Sequence, residues 1–230
     1  HCFLTLFFRK EIIMDSIKLD IPYVPQPQMS NMCGAACLEM VYRYFGLETS
    51  QAEIWNHISA VDSLSHRLNC HTYLMTIDAQ NRGLNSVAIS IASLLELIPA
   101  CLKNSIVPII LCRRSPTDLY GHFCVIKGVD YKGFYLNDPD PGNVKGNNWL
   151  LKTNDFVAAA RSRGEVRTSN TLILISSKNV ETTSVSLKHP IEGLDSPCVI
   201  NREVFTAILP YKPQILCTEH DLWSSVASYS

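Results

Sequence analysis

One cysteine, one histidine and one aspartate carry the chemistry this chain can do. Cys33 ends the polar run 24–32 and opens Cys33-Gly34-Ala35-Ala36-Cys37, after which Leu38, Met40, Val41, Tyr44 and Phe45 set an apolar helical period. A thiol there stands in the first turn of a helix, where unpaired N–H groups and the positive end of the dipole favour thiolate over thiol. A thiolate nucleophile needs a base. His122 heads a mostly apolar run bounded by glycines, and Asp130-Tyr131-Lys132-Gly133 reads as a hairpin turn. The returning strand, 134–137, is stopped by Asp138-Pro139, because proline cannot donate to a ladder. If the two strands pair, the start of one lies beside the end of the other, so Asp138 can orient His122 while His122 takes the proton from Cys33. An oxyanion donor completes the set, and Gln26 and Gln28 both lie just ahead of Cys33, whose own N–H is the second donor.

The remaining reactive side chains read more plainly. Cys37, one turn beyond Cys33, fits the core face of the helix, since no second Cys/His cluster follows at metal-ligand spacing. Cys2, Cys70, Cys101, Cys112, Cys124, Cys198 and Cys217 read as small buried hydrophobes or merely exposed thiols. His57, His66 and His71 have no catalytic context and read as structural or surface residues. Asp138-Pro139 ahead of Pro141-Gly142 is also ordinary turn chemistry. What points to catalysis is Gly121-His122-Phe123 followed, one hairpin later, by Asn137-Asp138-Pro139.

Taken together, Val24-Pro25-Gln26, Cys33-Gly34-Ala35-Ala36-Cys37-Leu38, Gly121-His122-Phe123 and Asn137-Asp138-Pro139 resemble cysteine peptidase family 39. These are the papain-clan, double-glycine leader peptidases that mature bacteriocins, with many stand-alone relatives. The resemblance spans residues 18–177. It implies a papain-like α+β fold, an N-terminal helical half packed on a C-terminal antiparallel sheet with the site in the cleft between them. It also implies Cys33 as nucleophile, His122 as general base, Asp138 as orienting acid and Gln26 as oxyanion donor. The family usually keeps its glutamine six residues before the cysteine, whereas here Gln26 lies seven before and Gln28 five before. The Val-Pro-Gln context assigns the role to Gln26, with Gln28 as its substitute. Gln28, Gly34, Tyr120 and Gly121 are expected to touch substrate.

The implied activity is thiol-dependent cleavage of a peptide bond in a peptide or protein, after a small residue and often after Gly-Gly, because a narrow cleft excludes side chains there. No cofactor or metal is called for. The same thioester can pass to an amine, so a transpeptidase or deamidase is an alternative. A peptide-binding module that no longer cuts is another, disfavoured because cysteine, histidine and acid are all present.

Composition fits a globular enzyme. With Lys+Arg 20 against Asp+Glu 21 in 230 residues, no electrostatic case for nucleic acid arises. Nine cysteines is an odd count in a chain too long to depend on disulfides, and a catalytic thiol must stay reduced, so the cytoplasm is expected. Residues 1–13 are apolar but carry Arg9 and Lys10 after the apolar run, unlike a secretory signal, and suggest a start at Met14 or a short added segment. No stretch reaches the roughly 18 to 20 apolar residues of a membrane span. No Gly-x-x-x-x-Gly-Lys motif is present, so a free-standing peptidase is expected rather than part of a transporter. The reading divides the chain into an N-terminal extension, 1–17, a peptidase domain, 18–177, and a partly ordered extension, 178–230, and leaves the oligomeric state open.

The elements that must position the site follow from local signals. Ser50-Gln51-Ala52-Glu53 is a capping box opening a helix through Ile58. Residues 71–82 form a helix ended by Gly83, and a third helix runs from about 93 towards 104 with Pro99 as a blemish. A buried strand, 107–112, leads into a polar loop, 113–120. Residues 154–161 make a last short helix before a strand at 171–175, and 199–211 suits one helix or a hairpin. Helices first and strands second is α+β order.

Overall fold

A segment apolar on every side must be buried on every side. The helix that Cys33 opens is of this kind, with Gly34 and every residue from Ala35 to Tyr42 buried. A computed structural model describes residues 16–61, 66, 68–91, 94–113, 121–160, 170–177, 182–184, 199–201 and 214–216. The expectations for Met14, for Tyr120, for Cys2, Cys198 and Cys217, and for most of the C-terminal extension lie outside these residues.

The elements in order are β1 (Ile17–Lys18), α1 (Cys33–Tyr44), α2 (Gln51–Ile58), β2 (Ser59–Val61), β3 (Leu68–Cys70), α3 (Thr72–Asn81), β4 (Asn85–Ile91), α4 (Leu94–Lys103) and β5 (Val107–Cys112). There follow β6 (His122–Asp130), β7 (Gly133–Asn137), β8 (Asn147–Leu151), α5 (Thr153–Ala159), β9 (Asn170–Ser176), β10 (Thr182–Ser184), β11 (Val199–Asn201) and β12 (Gln214–Leu216). The main sheet runs β12-β4-β9-β5-β6-β7-β8, with β1 beside β6. Its pairings are antiparallel. Helices cover both faces, so central strands are apolar on both sides. In β9, Leu172 and Leu174 face α4 and α5 while Ile173 and Ile175 face α1, α2 and α3. Phe134 stacks on Phe156 at 4.1 Å between centroids and seats α5 on β7.

The expected helices and strands form. Ser50 Oγ accepts the Glu53 N–H at 3.3 Å and opens α2. Gly83, at φ +84, ends α3. Pro99 falls in the second turn of α4 without ending it. Val199–Asn201 pairs with Thr182–Ser184 as strands rather than forming a helix. Several parts of the fold were not foreseen: the β2–β3 pair stands outside the main sheet, β4 and β12 extend the sheet beyond β9, β8 extends it beyond β7, and β1 lies beside β6.

Buried charge and a backbone strap set the relative placement of the two halves. Asp78 on α3 accepts from Tyr42 Oη of α1 at 2.7 Å and from Arg82 Nε at 2.9 Å, and meets His57 Nδ1 of α2 at 2.9 Å. One carboxylate thus locks three helices. The segment ahead of α1 lies along the sheet: Leu19 donates its N–H to Lys127 O at 2.7 Å, and the buried Asn137 of β7 donates its amide to Ile21 O at 3.2 Å. Replacing Asp78 by alanine leaves the Tyr42 hydroxyl without its acceptor and Arg82 with Glu53 alone, and is expected to cost about 3 to 5 kcal/mol of stability in urea unfolding. A loss under about 1 kcal/mol would contradict this role.

Candidate active site

Three side chains meet because each stands at the end of an element. Cys33 is the first residue of α1, His122 the first of β6, and Asp138 follows directly on β7. β6 and β7 pair with Val125 opposite Asn137, which brings the start of one strand to the end of the other. Asp138 Oδ1 lies 2.5 Å from His122 Nε2, and both residues are buried. The Cys33 side chain hydrogen-bonds the same imidazole, and since Nε2 is committed to Asp138 this contact falls to Nδ1.

The loop after β7 holds the carboxylate. Asp138 Oδ1 also accepts the Asp140 N–H, and Oδ2 accepts the Asn143 amide, each at 2.9 Å. The Asp138 N–H is satisfied by Gly146 O at 2.9 Å. Asn143 is thus a positioning residue that sequence reasoning missed, although an asparagine five residues after Asp138 in a turn was the available signal.

The charges follow from these contacts. The Cys33 thiol is held well below the ordinary thiol range, first by a hydrogen bond from Cys70, then by the hydrogen bond and charge of His122 and by the Phe123 N–H, which together overcome burial. Burial alone would push His122 down. Its bonds to Asp138 and then Cys33 outweigh this and raise the imidazole to about 10. Burial likewise opposes the Asp138 charge, but His122, Asn143 and the Asp140 N–H hold the carboxyl below its usual range. The start of α1 adds no competing anion, since no acidic residue lies in its first turn and no side chain caps it. A thiolate beside an imidazolium is the pairing needed for nucleophilic attack followed by proton delivery.

Gln26 and Gln28 part company. Gln26 is buried, its N–H donates to Pro139 O at 2.8 Å, and its side-chain amide donates to Ser30 O at 2.8 Å. Because Ser30 O only accepts, Nε2 must face it, which leaves one further N–H on that nitrogen. Gln28 is exposed. Gly121 takes φ +69, a conformation that suits glycine, and a Cβ there would sit 2.8 Å from Leu111 Cδ1. Gly34 is buried under Cys70: a Cβ on it would fall 2.7 Å from Cys70 Sγ. Cys70 therefore packs beside the start of α1 next to Cys33, a neighbourhood that its reading as a buried or merely exposed cysteine did not include. Cys37 is buried in the core, as expected. His122, Cys124 and Asp138 bring three donor atoms within 4.8 Å of one another, but the ring nitrogen and carboxylate are already joined.

The model of the Peptidase_C39-like family matches residues 18–162. The chain belongs to the C39-like peptidase family. It is accordingly a cysteine-peptidase-like hydrolase, on the fold the sequence motifs implied. No curated protein matches it significantly. A Bacillus anthracis protein described as a C39-like peptidase superposes with a TM-score of 0.53 at 14% identity, over 71% of this chain and 98% of that one. The peptidase domain of Streptococcus ComA, a bifunctional ABC transporter of a quorum-sensing pathway, gives 0.49 at 17% identity over 67% and 96%. A double glycine motif protease from an AMS/PCAT transporter, solved with its leader peptide, gives 0.48 at 18% over 70% and 96%. At 14% identity the likeness to the Bacillus anthracis protein is one of fold. Among the described residues of this C39-like chain, no helix is long and apolar enough to cross a membrane.

Because the Cys33 pKa is lowered, its thiolate persists as pH falls below the range in which an ordinary thiol protonates. Iodoacetamide is expected to label Cys33 first at about pH 6, with little gain in rate towards pH 8, where an unperturbed thiol gains roughly tenfold per unit. His122→Ala removes one of the lowering contacts and is expected to slow labelling at about pH 6 by about tenfold. Slow, uniform labelling of several cysteines, unchanged by the substitution, would contradict the assignment.

Proposed function

We propose that this C39-like protein is a cysteine peptidase whose triad is Cys33, His122 and Asp138, with Gln26 and the Cys33 N–H as the oxyanion hole. The observation that carries the reading is the imidazole held between two partners, with Nε2 at 2.5 Å from Asp138 and the other face on Cys33. The Cys33 sulfur attacks the scissile carbonyl, and the developing oxyanion takes the Gln26 amide and the Cys33 N–H. His122 gives its proton to the departing amine, the carbon–nitrogen bond breaks, and a thioester remains. Water, deprotonated by His122, then releases the acid and returns the thiol. Asp138 fixes the ring and favours its charged form throughout.

Family membership supports a peptide or protein substrate, with a small residue, Gly-Gly first among candidates, before the cut. Gln28, Gly121 and Tyr120 are proposed to border the cleft. A reducing compartment, the cytoplasm, suits a site that works through a thiolate.

A peptide panel led by Gly-Gly sequences, read by mass spectrometry, tests the proposal. Cleavage products are expected with wild type and none with Cys33→Ala. Gln26→Ala is expected to lower kcat by about 100- to 1,000-fold with KM little changed, and Gln28→Ala to stay close to wild type. A larger loss from Gln28→Ala would transfer the oxyanion role to Gln28. Products joined to an added amine instead of water would replace hydrolysis with transfer.

A further inference from the structure

The cysteine beside the nucleophile forms no bond in the proposed peptidase steps. Cys70 ends β3, a strand whose only partner is β2 among the described residues, and its Sγ lies against the start of α1 in space left open by Gly34. Asn31 of the preceding loop donates to Leu68 O at 3.4 Å and ties β3 to that helix start. Cys33 and Cys70 are both half-exposed. A second close pair, Cys112 and Cys124, has sulfurs 3.6 Å apart but is buried within the sheet. Of the two pairs, only the one at the nucleophile joins proximity to access.

We propose that Cys33 and Cys70 form a reversible oxidation site, in which Cys70 resolves the sulfenic acid of Cys33 as a disulfide that silences the enzyme and guards its nucleophile from irreversible oxidation. A hydroperoxide is the oxidant. The Cys33 thiolate attacks one peroxide oxygen, the O–O bond breaks, and Cys33 becomes a sulfenic acid while the other oxygen leaves as hydroxide or alkoxide. The Cys70 sulfur then attacks the Cys33 sulfur, the S–O bond breaks, and the departing hydroxide leaves as water with the Cys70 proton. A dithiol returns both thiols. Cys70 Sγ already packs on Gly34, the neighbour of Cys33; the two sulfurs must close to about 2.05 Å, and β3 can follow without loss of any pairing in the main sheet.

Cys70 enters oxidation as the resolving thiol: its bond to Cys33, and then desolvation, raise its pKa, so it keeps its proton while Cys33 is the thiolate. This division suits a reactive thiol beside a resolving one. The inference rests on Cys33 as the reactive thiolate of the proposed peptidase.

The test treats the full chain with hydrogen peroxide, blocks remaining thiols with iodoacetamide, digests it without reductant and maps all nine cysteines by mass spectrometry. A peptide linking Cys33 to Cys70 is expected, with peptidase activity falling at least about tenfold and returning on addition of dithiothreitol. Cys70→Ser keeps a hydroxyl beside Cys33 but cannot resolve it. Measured against its own untreated activity, it is expected to lose activity irreversibly as Cys33 reaches the sulfinic state. Sulfinic acid at Cys33 of the wild type without linkage, or a link from Cys33 to Cys37, to any other cysteine or to a second copy, would overturn the proposal. The wild-type map needs no variant to fold. Alkylation of untreated protein separates the two claims: if Cys33 is not labelled first, the reactive-thiolate reading falls as well; if it is, and no link to Cys70 forms, only this inference fails.

Discussion

The contact between the Cys33 sulfur and the His122 ring is the constraint on which the rest of the structure depends. The two groups belong to different halves, one at the start of a helix and the other at the start of a strand 89 residues later. Each would be costly to bury as an isolated charge. Together, with Asp138 behind the ring and the Phe123 N–H on the sulfur, each charge has a partner of opposite sign or a donor. The arrangement survives only if α1 stays seated on β6, because a half-buried thiolate that lost the imidazolium would lose its opposite charge.

The surrounding architecture holds that seat. The apolar α1 lies against the sheet through the core shared with Val125 and Ile173. The strap before it runs along β6 and β7, so the backbone that carries Gln26 is tied to Pro139, directly beside Asp138. The turn after β7 folds back through Asp140, Asn143 and Gly146 to satisfy both carboxylate oxygens and the Asp138 N–H. The strap with α1, the start of β6, and β7 with its turn thus converge through core packing, backbone hydrogen bonds and the Asn143 amide.

Much of this was legible in the sequence because the reactive residues lie at element ends, where local signals are strongest. The polar-to-apolar switch at Cys33, the hairpin after Asp130 and the proline after Asp138 each mark a boundary, and the boundaries juxtapose the residues. The capping box at Ser50 and the glycine at Gly83 set helix ends for the same reason. Cys70 was not legible: it meets Cys33 only through tertiary packing, and its place depends on a missing Cβ at Gly34. β4 carries Ser86, Ala88 and Ser90 among its apolar residues, which dilutes the strand signal, and β8, with Asn147, Asn148 and Leu150 exposed at the sheet edge, has little pattern to read. The β12 pairing joins residues more than a hundred positions apart, beyond the reach of local propensity.

The central claim is that His122 rests as an imidazolium between Asp138 and a Cys33 thiolate. Nitrogen NMR of the protein labelled at histidine, titrated with pH and assigned through His122→Ala, reads that state directly. The account predicts a His122 ring that stays protonated through neutral pH and loses its proton near 10. A ring that turns neutral near the ordinary histidine value of about 6.5, or below it, would contradict the ion pair.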